Sequence, residues 1–140
     1  MIERVIVGVD FSEASKQALA RGAAWAHRLG APLQVVHVLQ PPASILPEAQ
    51  LALPDTAWLN QMEAVADAHL EEWARGFPGA ERSVVWGSPA EELVGLATPD
   101  SLLVVAQVGH SKLERLLFGS TAARVVKHAP CDVLVVRSTT

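Results

Sequence analysis

The sequence is 140 residues long, which suits one domain with a single hydrophobic core. Half of its residues are hydrophobic and 19% are charged, a composition that excludes a disordered chain. Its formal net charge of −4 argues against general binding of nucleic acid.

Short apolar runs alternate with helical segments along the chain. In chain order, the pattern predicts a strand at Ile2–Val9, a helix capped by Ser12 and ending at Leu29, a strand at Leu33–Val38, a helix from Asp55 or Thr56 to Arg75, a strand at Arg82–Trp86, a helix from Pro89 to about Ala97, a strand at Ser101–Ala106, a helix at Ser120–His128 and a strand at Asp132–Val136. Residues 1–140 therefore form a single predicted domain. No apolar run is long enough to span a bilayer and the first residues open directly into a strand, so we expect no targeting segment and a cytoplasmic protein.

Local signals mark the ends of several elements. Gly30 is placed to end the first helix in a left-handed conformation. The sequence SPAE at Ser88–Glu91 predicts a capping box with proline at the first helical position. Two connections are long for a compact domain, and such connections are often functional. They are residues 39–55, which contain four prolines, and residues 107–119, in which Leu113–Leu117 predicts a helical turn.

The predicted strands are almost wholly apolar instead of alternating, which indicates that both faces of the sheet are buried. Alternating strands and helices imply a parallel sheet with helices on both faces, and right-handed crossovers make it doubly wound. We therefore predict an α/β fold with a doubly wound, five-stranded parallel sheet. Because ligands of such sheets bind beyond the carboxyl ends of the strands, the residues that follow the strands form the candidate site.

Two of these strand ends carry recognisable chemistry. Asp10 follows the first strand, where a carboxylate can contact a ribose or an amine, or hold a cation against phosphates. The dipole of the following helix explains a carboxylate there equally well. After the fourth strand, Gly109 and the segment Gly119–Thr121 offer two glycine loops and a helix N-terminus, which suit a phosphate group. The alternative is a pair of ordinary turns with Ser120 as an N-cap.

Charge is distributed unevenly along the chain. Residues 1–100 carry a balance of −7 and residues 101–140 a balance of +3. A basic C-terminal third indicates a local anion site. The excess of positive charge is explained equally well by the helix dipole, because Lys127 and His128 lie at the end of a predicted helix.

The remaining polar and aromatic residues favour structural roles. The histidines show no metal-binding spacing, although His110 directly follows Gly109 and is the one to test. His37 is predicted to be a core histidine, and Cys131 a small buried residue at the start of a strand. The four tryptophans are predicted to be core or interface residues.

Four segments of the sequence carry a family pattern. They are IVGVDFS at Ile6–Ser12, VHV at Val36–Val38, GSPAEE from Gly87, and RLLFGSTAARVVKHAPCDVLVVR at Arg115–Arg137. On these segments, the chain resembles a universal stress protein of the UspA type over essentially its whole length. The resemblance implies the strand order 3-2-1-4-5 and a role in a stress response.

The ATP-binding branch of that family carries Gly-x-x-Gly, nine residues, and then Gly followed by Ser or Thr. Gly109, Gly119 and Ser120 match this pattern, and Ala106 stands where the first glycine is expected. The resemblance implies that ATP, with or without Mg²⁺, is the cofactor. It places Asp10 by the ribose and the phosphates, and adenine on the main chain of Val38; Asp10 is also the candidate ligand of a metal ion. The predicted binding residues are Asp10, Val38, Ala106, Gly109, His110, Lys112, Gly119, Ser120 and Thr121.

The departures from the pattern keep other functions open. Ala106 would cost about 1 kcal/mol if the backbone there needs a positive φ, and its methyl group would crowd a ligand. Lys112 would compensate by supplying a charge for phosphate.

The main hypothesis is an ATP-binding regulatory protein. The alternatives are a nucleotide-free dimeric interaction protein and, ranked third because no general base is evident, a slow ATP hydrolase. A homodimer is expected through the apolar strand Val133–Val136, which the family places at a sheet edge.

Overall fold

The computed structural model describes residues 1–41, 56–108 and 119–137. Within these ranges the elements are β1 (Arg4–Gly8), α1 (Glu13–Leu29), β2 (Leu33–Leu39), α2 (Thr56–Ala74), β3 (Glu81–Trp86), α3 (Pro89–Leu96), β4 (Ser101–Ala106), α4 (Ser120–His128) and β5 (Asp132–Val136). All the predicted strands and helices in these ranges are confirmed, and their ends agree within two residues. The predicted turn at Leu113–Leu117 and most of the 39–55 connection lie outside the described residues.

The five strands form one parallel sheet in the order β3-β2-β1-β4-β5, which confirms the predicted topology. Consecutive apolar residues of each strand face opposite sides of the sheet, so two separate cores form. The core beneath α1 and α2 contains Val5, Val7, Leu19, Leu70 and Val104. The core beneath α3 and α4 contains Ile6, Val36, Leu93, Leu103 and Val125. This distribution puts helices on both faces, as in a doubly wound fold.

The ends of α1 follow the sequence signals. The Ser12 side chain accepts a hydrogen bond from the Ser15 N–H, and Gly30 ends the helix with a φ of 64°. A side chain at Gly30 would be strained in this left-handed conformation, so glycine belongs there.

The predicted capping box of α3 is wrong. Ser88 is the N-cap and Pro89 occupies the first turn, but the Ser88 side chain makes no capping hydrogen bond. A capping box needs the Glu91 carboxylate to turn back to the N-cap N–H. Instead, Glu91 accepts a hydrogen bond from Arg124 of α4 at 3.3 Å. The packing of α3 beside α4 therefore uses the carboxylate that the local signal assigned to the cap.

Several residues predicted to be buried are partly exposed. Cys131 is a half-buried free thiol just before β5, and partial burial raises its pKa above the ordinary value. Trp25 and Trp58 are also exposed, which is inconsistent with a place in the core.

Candidate functional site

A cavity of about 530 Å³ opens at the carboxyl ends of β1, β2 and β4. This volume lies in the range of small-molecule sites. The cavity lies where the strand order reverses, since β1 and β4 are neighbours while the helices that follow them lie on opposite faces of the sheet. Its lining includes the six predicted site residues that the structure describes, which are Asp10, Val38, Ala106, Gly119, Ser120 and Thr121. Gly109, His110 and Lys112 lie outside the described residues.

Asp10 is held firmly at the end of β1. Its Oδ1 accepts hydrogen bonds from the Ser12 N–H, at 3.0 Å, and from the Ser12 hydroxyl. Its own N–H donates to the Ser15 hydroxyl at 3.3 Å. The same Ser12 oxygen caps α1, so the start of this helix and the carboxylate form one hydrogen-bonded unit. Asp10 is half-buried and lines the cavity with a fixed negative charge.

The floor of the cavity depends on a glycine in β1. A β-carbon at Gly8 would stand 2.6 Å from Cδ1 of Leu93 in α3, which is much closer than side-chain atoms normally approach. Both residues line the cavity. A larger residue at this position would therefore push Leu93 from its place at the base of the site.

The main chain of Val38 faces the cavity side of β2. In a parallel ladder, alternate residues of a strand direct both N–H and C=O to the same neighbour. The Val36 carbonyl accepts from the Val9 N–H on the β1 side, and the Leu39 carbonyl accepts from Gly87 on the β3 side, both at 2.9 Å. The N–H and C=O of Val38 therefore point towards β1, beyond Gly8, the last residue of β1 that pairs with β2.

His37 is the site residue that sequence reasoning assigned to the core. Its Nδ1 lies 2.8 Å from the Val9 carbonyl oxygen. Because a carbonyl can only accept, Nδ1 carries the proton. The ring is thus hydrogen-bonded, as expected of a core histidine, but it is half-buried and lines the cavity, so the predicted place in the core is wrong. Its position directly before Val38, near the end of the strand, is the sequence signal that could have placed it at the site.

Ala106 ends β4 in an extended conformation, paired with Val136 of β5. Phe11 is the only non-glycine residue with a positive φ in the described part of the chain. The expected backbone penalty at Ala106 is therefore absent, because its strand conformation suits any residue. Ala106 still lines the cavity, while its side chain packs against the core beneath α1 and α2.

The N-terminus of α4 forms another wall of the cavity. Gly119 is the N-cap with a φ of −63°, and its N–H donates to the Gln107 carbonyl at 2.7 Å. The Gly119 amide is therefore already used, and the donors that α4 presents are those of its first turn, from Ser120 to Ala122. No acidic residue lies in this turn, whereas the first turn of α3 contains two glutamates. The positive end of the α4 dipole thus has no carboxylate of its own helix beside it.

The described residues form no ready-made metal site, because no group of three or more His, Cys, Asp or Glu side chains among them is placed to hold an ion. None of the helices in these ranges combines the length and hydropathy needed to span a membrane.

These features define a class of protein, the doubly wound α/β domains with a cavity at the switch point of the sheet. The model of the universal stress protein family matches residues 1–137, and the chain belongs to that family.

Known relatives support this assignment. The chain is 31% identical to a universal stress protein of Thermus aquaticus over 140 residues, which cover 98% of this chain and 100% of the relative. It spans about half the length, 48%, of a Mycobacterium tuberculosis relative that it matches at 30% identity.

Solved structures agree on the fold. The universal stress protein UspA from Lactobacillus plantarum is 26% identical, with a TM-score of 0.80 and coverage of 96% of this chain and 97% of that one. A universal stress protein solved in complex with cAMP is 28% identical, with a TM-score of 0.62 and coverage of 99% and 98%.

Proposed function

We propose that this chain binds an adenine nucleotide in the cavity, and that ATP is its ligand. The observation that carries the proposal is the gathering of separately predicted residues around one space of about 530 Å³. Asp10 comes from β1, Val38 from β2, and Ser120 and Thr121 from the start of α4. Residues this far apart in sequence meet because the carboxyl ends of parallel strands share one edge of the sheet.

The end of β2 suits the adenine ring. Val38 offers a main-chain donor and acceptor on the side facing away from β3. Adenine presents an N1 acceptor beside an N6 donor, so one residue's N–H and C=O match the edge of the base. Apolar residues that line the same cavity, such as Leu39 and Leu93, would pack against its faces.

The start of α4 suits the phosphates. First-turn amides and the positive end of a helix dipole favour an anion, and Ser120 and Thr121 add hydroxyl donors. Asp10 would repel a polyphosphate unless it contacted the ribose or shared a cation with the phosphates. We therefore propose that ATP binds with Mg²⁺, and that Asp10 holds the metal directly or through water.

The relative solved with cAMP supports the class of ligand, because that protein holds an adenine nucleotide on a similar fold. Its ligand carries one cyclic phosphate, whereas the proposal here is a triphosphate. AMP, cAMP and ATP must therefore be compared in the same experiment.

Calorimetric titration with each nucleotide, with and without Mg²⁺, tests the proposal. We expect Mg-ATP to bind most tightly, and saturation at a hundredfold over Kd to raise the free energy of unfolding by about 2.7 kcal/mol. Ser120→Glu should lower the affinity for Mg-ATP by about tenfold or more, because it places a carboxylate at the phosphate end of the cavity.

Ala123→Glu is the matched control. It adds the same charge to α4 one residue after the first-turn donors, at an exposed residue outside the cavity lining. We expect its affinity to stay within about threefold of wild type, since its carboxylate would lie outside the cavity, where solvent screens it from the phosphates. No binding of any adenine nucleotide at millimolar concentration would contradict the proposal and favour a nucleotide-free interaction protein.

Self-association is a second proposal, carried by β5. This strand is at the edge of the sheet, and Val133, Leu134 and Val135 are only partly buried. An apolar edge strand invites pairing with another strand. We propose a homodimer through Val133–Val136, and a monomer in sedimentation at micromolar concentration would contradict it.

Slow ATP hydrolysis remains an alternative, and phosphate release that disappears in Asp10→Ala would support it.

A further inference from the structure

The turn between β1 and α1 holds a residue in an unusual conformation. Phe11 has a φ of 65° and follows Asp10 directly, and no other non-glycine residue in the described ranges has a positive φ. The left-handed region is disfavoured for residues with a β-carbon, especially bulky ones. Such residues persist only where the surrounding structure holds them in place.

Three ring side chains hold Phe11, and we call them the Phe11 seat. They are His37 of β2 and His69 and Trp73 of α2. The Phe11 ring stacks on His69 with centroids 3.8 Å apart and planes 8° apart. It lies 4.4 Å from the His37 ring and meets Trp73 edge-on at 5.2 Å. Stacked and edge-on aromatic pairs stabilise beyond simple burial, so the seat offsets the backbone strain.

The seat acts on both sides of Asp10. Phe11 follows Asp10, and Val9, which precedes it, has its carbonyl oxygen bound by the His37 Nδ1–H at 2.8 Å. The carboxylate itself is bound to Ser12, the residue after Phe11. The hydrogen bonds of the carboxylate therefore span Phe11, whose backbone angles set the positions of Asp10 and Ser12 relative to each other.

We propose that Phe11 is a positioning residue for the nucleotide site, whose ring in the Phe11 seat aims the Asp10 carboxylate into the cavity. This inference rests on the proposed function. Glycine adopts a φ of 65° without strain, but it also adopts many other conformations. Phe11 thus restricts the turn in a way that glycine does not, and it ties the direction of Asp10 to α2. Neither Phe11 nor His69 lines the cavity, so their effect on a ligand is indirect.

Combining Phe11→Gly with Asp10→Ala tests the inference. Phe11→Gly should lower the affinity for Mg-ATP by about tenfold in the wild-type background, and by less than about twofold when Asp10 is already alanine. Equal losses in the two backgrounds would show that the ring supports the fold generally, and would overturn the positioning role.

His69→Ala provides a second variant that keeps Phe11 and changes an exposed residue of α2. It should lower the affinity in the same direction by a smaller factor, while Glu72→Ala, also exposed on α2, should not change it. Identical affinities for the His69 and Glu72 variants would contradict the link between α2 and the site.

Amide hydrogen exchange without nucleotide separates this inference from the proposed function. The Ser12 N–H donates to Asp10 Oδ1 and the Ser15 N–H to the Ser12 hydroxyl. Phe11→Gly should accelerate exchange at both amides at least about tenfold while Val7, within the sheet, is unchanged. If wild type binds no nucleotide, the proposed function fails, and the exchange result alone decides whether Phe11 orders the turn. Unchanged exchange at Ser12 and Ser15 would overturn the inference even in a protein that binds ATP.

Discussion

Gly22→Ala probes how closely α1 packs on the sheet. Gly22 is buried in the middle of α1, and a β-carbon there would stand 2.4 Å from Cγ2 of Val7. Carbon atoms pack at about 3.5 Å or more, so the helix and the strand would have to separate by about 1 Å. Val7 is fully buried and β-branched, which leaves its side chain little freedom to move aside.

Two opposing effects set the size of the change. Alanine in a helix interior stabilises by about 1 kcal/mol relative to glycine. Overpacking a core destabilises by about 1–3 kcal/mol, and the stiff partner puts Gly22 in the upper part of that range. We expect a net loss of about 1–2 kcal/mol in the free energy of unfolding, which corresponds to a fall in Tm of about 3–6 °C.

Urea denaturation measures this loss as a lower midpoint at an unchanged slope. Gly95→Ala is the matched control, because Gly95 is in α3 and a β-carbon there would meet nothing within 4 Å. We expect this control to stabilise the protein by up to about 1 kcal/mol. If Gly22→Ala also raised the midpoint, the close contact between α1 and β1 would be refuted.

Three further predictions concern residues beside or near the site. Ser12→Ala should lower the free energy of unfolding by about 1 kcal/mol in urea denaturation, because it removes the cap of α1. Ser88→Ala should change it by no more than about 0.5 kcal/mol, since Ser88 makes no capping hydrogen bond. Equal losses in the two variants would contradict the assigned caps. Ala106→Gly should lose about 0.5–1 kcal/mol in the same assay, since Ala106 lies in a strand; a gain would indicate that the alanine is strained. Burial raises the pKa of the Cys131 thiol above its ordinary value of 9.0. Because the thiolate is the reactive form, alkylation by iodoacetamide should still accelerate above pH 9.0. A rate that levels off below pH 9.0 would contradict the raised pKa.

The architecture was predictable because the strands are continuous apolar runs. Val5, Ile6 and Val7 are consecutive and fully buried, with Ile6 in one core and its neighbours in the other. A strand covered on one face only would alternate with polar residues, so the pattern itself indicated helices on both faces. The order of the strands came from the family resemblance, since composition and periodicity do not determine it.

The geometry of the β1–α1 turn was beyond sequence reasoning. A left-handed residue is normally expected at glycine, asparagine or aspartate, and nothing near Phe11 in the sequence signals that it adopts this conformation. The conformation depends on contacts with His69 and Trp73, which are far along the chain. Long-range packing of this kind also explains His37, whose place beside Val9 follows from the pairing of β1 with β2.

The start of α4 shows why a glycine pattern alone does not define a phosphate site. The sequence predicts Gly119 as part of a loop that suits a phosphate group, yet the Gly119 N–H donates to the Gln107 carbonyl, and the Gln107 N–H donates to the Val136 carbonyl at 2.8 Å. The main chain of Gln107 thus fixes the start of α4 against the ends of β4 and β5. The glycine contributes to this anchoring, while the amides from Ser120 to Ala122 remain as the donors of the first turn. An anion at this helix would therefore meet donors whose position is set by the sheet, which lowers the entropic cost of binding.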